Sequence, residues 1–223
     1  MNRIASTTLL AALALAAGAA HAQLAGSLIG RIGVTNISPS VSSGNLTPPS
    51  FVGTQVDVAS ATSLGGGITY MVTNNWAIDV PLALPFKHKV SGAGAIAGVG
   101  ELGHTKALPL TVLAQYRFME PTAKFRPYVG AGITYAYNFS ERTTNTLSAL
   151  TGSTPPNRTV MDVESKFAPT IAVGASIALS ERMYLDLMLG KTFLKNRTTL
   201  STGQTIDVRL NPTTFAVAVG YRF

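Results

Sequence analysis

The amino-acid sequence predicts an all-β protein: an eight-stranded antiparallel transmembrane β-barrel with short periplasmic turns and long extracellular loops. Three observations lead there. Beyond residue 23 the apolar residues recur with a period of two, in eight segments, and no stretch sustains a helical period. Charged residues make up only 12% of the 223-residue chain, about half the share of an ordinary soluble domain. The connections between the eight segments alternate strictly between short and long, as they do in outer-membrane barrels.

The first residues stand apart from this pattern. Residues 1–3 are short and basic, residues 9–17 are apolar, and Ala20-His21-Ala22 supplies a small-residue cleavage site. That order reads as a secretory signal peptide over residues 1–22, cleaved before Gln23. A membrane anchor would need about 20 apolar residues with better flanks. The remainder, 23–223, is a single barrel domain with 16 basic and 10 acidic residues, a formal +6, and with His88 and His104 as its histidines. The chain has no Cys, so an exported form has no disulfide framework and depends on burial and strand pairing.

The eight segments are 27–37, 62–72, 75–86, 108–118, 126–139, 166–179, 182–193 and 208–223. In the third, Trp76, Ile78, Val80, Leu82, Leu84 and Phe86 face one side, and Asn75, Ala77, Asp79, Pro81, Ala83 and Pro85 the other. In the fourth, Leu108, Leu110, Val112, Ala114, Tyr116 and Phe118 oppose Pro109, Thr111, Leu113, Gln115 and Arg117. In the sixth, Phe167, Ile171, Val173, Ile177 and Leu179 oppose Thr170, Gly174, Ser176 and Ser180. The second face is too small and too neutral for a water-facing exterior, so it lines an interior and the apolar face meets lipid. Tyr70, Trp76, Tyr116, Phe118, Tyr221 and Phe223 mark one rim, and Phe86, Tyr137, Phe139 and Phe193 the other, like the aromatic girdles that flank a lipid band. An even strand count puts both chain ends at the periplasmic side, where the last strand closes on the first and Phe223 sits in the girdle.

Three stretches, "LGGGITYMVTNNWAIDVPLALPFKH", "VGELGHTKALPLTVLAQYRF" and "RPYVGAGITYAYNF", resemble in order and spacing the signature segments of the OmpW family of small outer-membrane barrels. Leu110 stands where that family's Leu-Pro-Pro-Thr stretch has a second Pro. The resemblance implies an eight-stranded barrel with a narrow hydrophobic inner channel that passes small hydrophobic solutes through the outer membrane or releases them sideways into the bilayer. It also implies that the C-terminal aromatic, Phe223, is read by the outer-membrane assembly machinery.

The inward faces hold six charges, Arg31, Asp79, Arg117, Arg126, Asp186 and Arg222. An eight-stranded barrel is just wide enough to be filled by side chains, and buried charges have to pair. These six are expected to form a salt-bridged network, either a plug over the periplasmic half or a stiffener of the barrel. Higher up, Met71, Leu113, Met188 and Leu194 are the apolar inward residues expected to line a hydrophobic path, with Met suited to varied shapes; ordinary interior packing is the alternative. The loop expected over 86–108 carries Ile96, Val99 and Leu102, which with Leu46 and Phe51 could form an apolar vestibule; a short loop helix covering its own apolar side is the other option.

Gly98 to Gly103 matches G-x-G-x-x-G, but a dinucleotide site needs a parallel β-α-β unit around it, and none is present. His88, Glu101 and His104 lack a compact metal-ligand spacing, so neither metal nor cofactor is expected. Lys87, Lys89, Lys106, Arg142, Arg158, Lys195 and Arg197 gather towards the outside, where the lipid bilayer and the phosphates of lipopolysaccharide are the expected partners. Nucleic acid is not expected in an exported barrel. An enzyme needs a nucleophile and base in hydrogen-bond reach, and both histidines fall in one loop. The sequence thus favours an outer-membrane channel over an enzyme, with a non-transporting structural, lipopolysaccharide-binding or adhesive barrel as the alternative.

Overall fold

In a computed structural model, residues 23–153 and 157–223 are described; the expected signal peptide lies outside the described residues. The strands are β1 (Leu28–Ser38), β2 (Ser42–Ser43), β3 (Thr54–Val58), β4 (Ala61–Met71), β5 (Trp76–Ala83), β6 (Phe86–Gly94), β7 (Glu101–Arg117), β8 (Phe125–Thr143), β9 (Met161–Val163), β10 (Lys166–Ala178), β11 (Met183–Thr192), β12 (Lys195–Leu200), β13 (Thr205–Arg209) and β14 (Thr213–Arg222). One short helix, α1 (Asn145–Leu150), lies between β8 and β9. Eight staves close the barrel in the order β1, β4, β5 continued by β6, β7, β8, β10, β11, β14. The closing pair runs antiparallel from Ile29↔Arg222 to Ser38↔Thr213, so the last stave pairs with the first.

Alternation decides which face meets which medium. Ile32 is 73% exposed, and Leu64, Val112, Ile133 and Ile171 are each more than half exposed, around the outer wall. Such a belt is unfavourable in water and neutral in hydrocarbon. Inside, small residues let the staves approach: a Cβ on Gly132 would collide with the Val112 carbonyl, and one on Gly33 with that of Val217. The turns at 72–75, 118–124 and 179–182 share one end, and the long connections share the other.

At the long-connection end the staves continue past the barrel. The segment expected as a loop over 86–108 is instead a hairpin of β6 and β7, paired from Phe86↔Ala107 to Ser91↔Glu101; the helix sits in the next long connection. The segment expected to run unbroken over 208–223 is two strands, because Asn211 adopts a φ of +32° and Pro212 has no N–H to give. A second sheet, in the order β2-β13-β12-β9, completes this upper part. Between the sheets Val90, Ile96, Leu102, Leu147, Met161 and Leu200 form an apolar core. Thr144 caps α1 by accepting from the Leu147 N–H and so fixes Leu147 in that core.

One register slip changes the reading of the third stave. β5 pairs with β7 from Trp76↔Tyr116 to Asp79↔Leu113, whereas beyond the break Phe86 pairs with Ala107. The β5–β6 side has one residue more than the β7 side, and an extra residue reverses the side-chain phase. Leu84 and Pro85 both end up exposed, and Phe86, expected in the outer aromatic rim, points inward and is fully buried.

Gly132→Val should force the β7–β8 ladder apart and cost about 2 kcal/mol. Gly190, where the nearest atom to an added Cβ would lie 3.6 Å away, should accept Ala. Urea titration of the two variants in lipid bilayers, read by tryptophan fluorescence from Trp76, checks the difference.

Candidate functional site

At the end with short turns the lumen is filled by polar side chains. The Arg31 guanidinium bridges two carboxylates: Nη2 is 2.5 Å from Asp79 Oδ1 and Nη1 2.8 Å from Asp186 Oδ1. Thr69 donates to Asp79 Oδ1 at 2.6 Å, Ser176 to Asp186 Oδ2 at 2.8 Å, and the Tyr128 hydroxyl to Asp186 Oδ1 at 3.1 Å. Gly67 and Gly174 make room, since a Cβ on either would strike Arg31 Nη2 or the Tyr128 ring. Charge-assisted bonds of this kind are the strong ones, and each ion here is held by more than one.

Below lie two further cations without carboxylates of their own. Arg117 donates to Ser176 Oγ at 2.9 Å, Gln115 Oε1 at 3.0 Å and Gln23 Oε1 at 3.0 Å, and its guanidinium sits 4.8 Å above the Tyr128 ring. Arg126 donates to the same Gln23 Oε1 at 3.0 Å and to the Asn74 carbonyl at 2.7 Å. Gln23 is 1% exposed and supplies one neutral oxygen to two guanidinium groups, so uncharged acceptors do the work of missing counterions. Arg222 stands apart from its expected partners: its Nη1 is buried with no hydrogen-bond partner among the described residues.

Above this floor opens a cavity of about 210 Å³. A cavity of about 150 Å³ lined by apolar residues stays dry and takes up benzene, so this one has room for a small apolar molecule. Leu113, Ala172 and Met188 form its lowest apolar layer, Ala136, Ala168 and Leu194 a higher one, and Ile37, Ala61 and Phe86 pack together across the barrel. Of the residues expected to line the path, Leu113, Met188 and Leu194 border the cavity. Met71 does not: β4 descends and ends there, so it is buried at the level of the short turns, with its N–H donating to the Ser27 carbonyl at 2.9 Å. Leu46, Phe51, Ile96 and Leu102 border the upper cavity. Val99 lies outside it at the hairpin tip, 37% exposed and against Gly92.

At the height of the cavity the wall is incomplete. Pairing between β5 and β7 stops at Asp79↔Leu113 and resumes only at Phe86↔Ala107. Leu84 donates its N–H to Leu64 on β4, so by alternation residue 81 is oriented towards β7. Arg117 donates to Asn75, so residue 109 is oriented towards β5. Both positions are proline and lack a donor for the missing rungs. Pro81, Leu82 and Pro109 all border the cavity, and Leu82 is also exposed on the outer wall.

The histidines lie on strands rather than in a loop. His104 Nδ1 is 3.5 Å from Glu101 Oε1, while His88 turns inward with Nδ1 2.9 Å from the Ala59 carbonyl. Among the described residues no group of three His, Cys, Asp or Glu is placed to hold a metal. The seven outer basic residues are exposed, and Asp207 is held down at about 2 by hydrogen bonds from Arg197 and Lys195.

A closed antiparallel barrel with a lipid-facing belt, a charged floor and an apolar lumen defines a small outer-membrane-type β-barrel protein. The sequence pattern of the OmpW family matches residues 24–223, and the chain belongs to that family. It is 33% identical to Outer membrane protein W of Vibrio cholerae over 99% of this chain and 98% of that protein. It is 25% identical to the "Dibenzothiophene metabolism operon protein PahQ" of Pseudomonas aeruginosa over 86% of this chain and 87% of that protein. The crystal structure of the outer membrane protein OprG from Pseudomonas aeruginosa superposes with a TM-score of 0.80 at 28% identity, covering 90% of this chain and 97% of that one.

Asp186→Ala should leave Arg31 half-paired and destabilise the barrel by about 3–5 kcal/mol, whereas Arg31→Met with Asp79→Leu and Asp186→Leu together should be close to neutral. Urea midpoints of the single and triple variants in lipid test this.

Proposed function

We propose that the protein is a passive outer-membrane channel for small hydrophobic molecules, entered from outside through the apolar vestibule and left sideways between β5 and β7. The observation that carries this reading is the coincidence of a charged floor beneath an apolar cavity with a break in the wall at the same height. An apolar solute gains nothing from crossing Arg31, Asp79 and Asp186, where it would strip hydrogen bonds from buried ions. At the proline break it meets lipid without crossing a polar layer. Membership of the OmpW family and likeness to PahQ, whose name ties it to an operon for a fused aromatic compound, support apolar cargo. No catalytic step is needed.

The same reading takes residues 1–22 as the export signal and Phe223 as the contact with the outer-membrane assembly machinery. It places Lys87, Lys106, Lys195 and the neighbouring basic residues against lipopolysaccharide phosphates just above Tyr137, Phe139 and Phe193.

Purified protein in liposomes should speed entry of 1-N-phenylnaphthylamine but not of a polar dye of similar size, after subtraction of passive leak. Leu113→Asp or Met188→Asp, in variants that still fold, should slow the apolar dye by about tenfold, because an ionised group would have to be desolvated in its path. Acceleration of neither dye would leave a sealed structural or lipopolysaccharide-binding barrel as the better account. Pro81→Thr with Pro109→Thr returns two ladder donors and should also slow the apolar dye; an unchanged rate would exclude the sideways route.

A further inference from the structure

Between the two apolar layers of the lumen runs a belt of hydroxyls. Thr111, Thr134, Thr170 and Thr192 project from four successive staves, β7, β8, β10 and β11, and all border the cavity. Their Oγ1 atoms form a chain, with 2.8 Å from Thr111 to Thr134, 2.6 Å from Thr134 to Thr170 and 2.9 Å from Thr170 to Thr192. The belt is one pleat above Leu113 and Ala172 and one pleat below Ala136, Ala168 and Leu194. Valine has the same shape and would bury equally well between those layers. The staves are already joined there by backbone pairs, Thr111↔Thr134 and Thr170↔Thr192 among them, so closure of the barrel does not require the hydroxyls.

Four hydroxyls joined by three bonds use three of their four protons. A donor is left at one end of the chain and unused lone pairs elsewhere, and because each hydroxyl rotates freely the polarity of the chain can reverse. The belt can therefore give a hydrogen bond to a carbonyl or exchange bonds with a hydroxyl. A second polar point lies above it. The Ala59 carbonyl can only accept, so His88 carries its proton on Nδ1, and Nε2 is left as an acceptor with no partner among the described residues, on a side chain that borders the cavity.

We infer that the cavity selects small molecules bearing one uncharged hydroxyl or carbonyl on an apolar body, such as phenols and short alcohols, and that the threonine belt is the element that reads that group. This rests on the cavity being the solute path. Charged solutes are excluded by the apolar layers on either side, and a bare hydrocarbon leaves the spare donor and acceptors unmatched, which is the costly half of the hydrogen-bond balance. The belt thus gives preference within a class of solutes that the apolar walls alone would not separate.

Phenol and toluene have nearly the same shape and differ by the group in question. Each is titrated against 1-N-phenylnaphthylamine bound to the barrel in nanodiscs, and the ratio of the phenol to the toluene association constant obtained by displacement is the readout. Wild type should prefer phenol, and the variant with Thr111, Thr134, Thr170 and Thr192 all replaced by Val should lower the phenol-to-toluene ratio by about tenfold, the worth of one hydrogen bond. Replacing every partner by an apolar group of equal shape preserves packing. Thr134→Ser, which keeps the hydroxyl, should retain the wild-type ratio. Equal ratios in wild type and the fourfold Val variant would overturn the assignment while leaving the channel reading intact. Failure of both compounds to displace the dye from wild type would overturn both.

Discussion

The fork of Arg31 between Asp79 and Asp186 is the interaction on which the rest of the structure depends. Three staves, β1, β5 and β11, meet in it at distances of 2.5 and 2.8 Å, with all three side chains buried. Its members cannot be exposed without breaking the barrel, and none can be removed alone without leaving a buried charge. Gln23, Ser176, Gln115 and Tyr128 extend it downward through neutral oxygens and an aromatic face, so the extra cations Arg117 and Arg126 are held without extra carboxylates. The floor is a structural necessity of a narrow barrel that carries charges inside, and its chemical consequence is a lumen closed below.

The side wall above this floor is interrupted between β5 and β7, and few residues make the break. Pro81 and Pro109 remove donors from the two neighbouring strands, and the extra residue at Leu84–Pro85 stops the ladder from simply resuming in register. That slip also swings Phe86 from the rim into the lumen, where it meets Ile37 and Ala61. The break in the wall and the inward turn of Phe86 above it thus meet at one irregularity.

Much of this architecture is legible in the sequence because period two is a strong signal when one face is lipid. The eight staves, their inward charges and the placement of Leu113, Met188 and Leu194 follow from alternation alone. Alternation says nothing about register, however, so it hides the reversal at Phe86 and the split of the last segment at Asn211. It also says nothing about height: Met71 is inward and apolar, but an inward side chain near a short turn belongs to the floor whatever its polarity. Val99 is apolar in sequence yet sits on a hairpin tip. Gln23 marks only a boundary in the sequence, and nothing in its local pattern reveals that two arginines from β7 and β8 converge on it. The threonines of the belt look like small polar filler, since only the relative stagger of four staves brings their hydroxyls together.

The most direct test of the central claim, a closed floor with an opening in the side wall, uses the absence of native cysteine. Cysteines introduced at Ala83 and Thr111 flank the break on β5 and β7 and can be bridged by a short reducible thiol crosslinker. With the bridge in place, 1-N-phenylnaphthylamine should still bind the barrel but its transfer into the bilayer should fall to the rate of empty liposomes and recover on reduction. Transfer that continues unchanged through the bridged barrel would contradict the account and place the exit elsewhere.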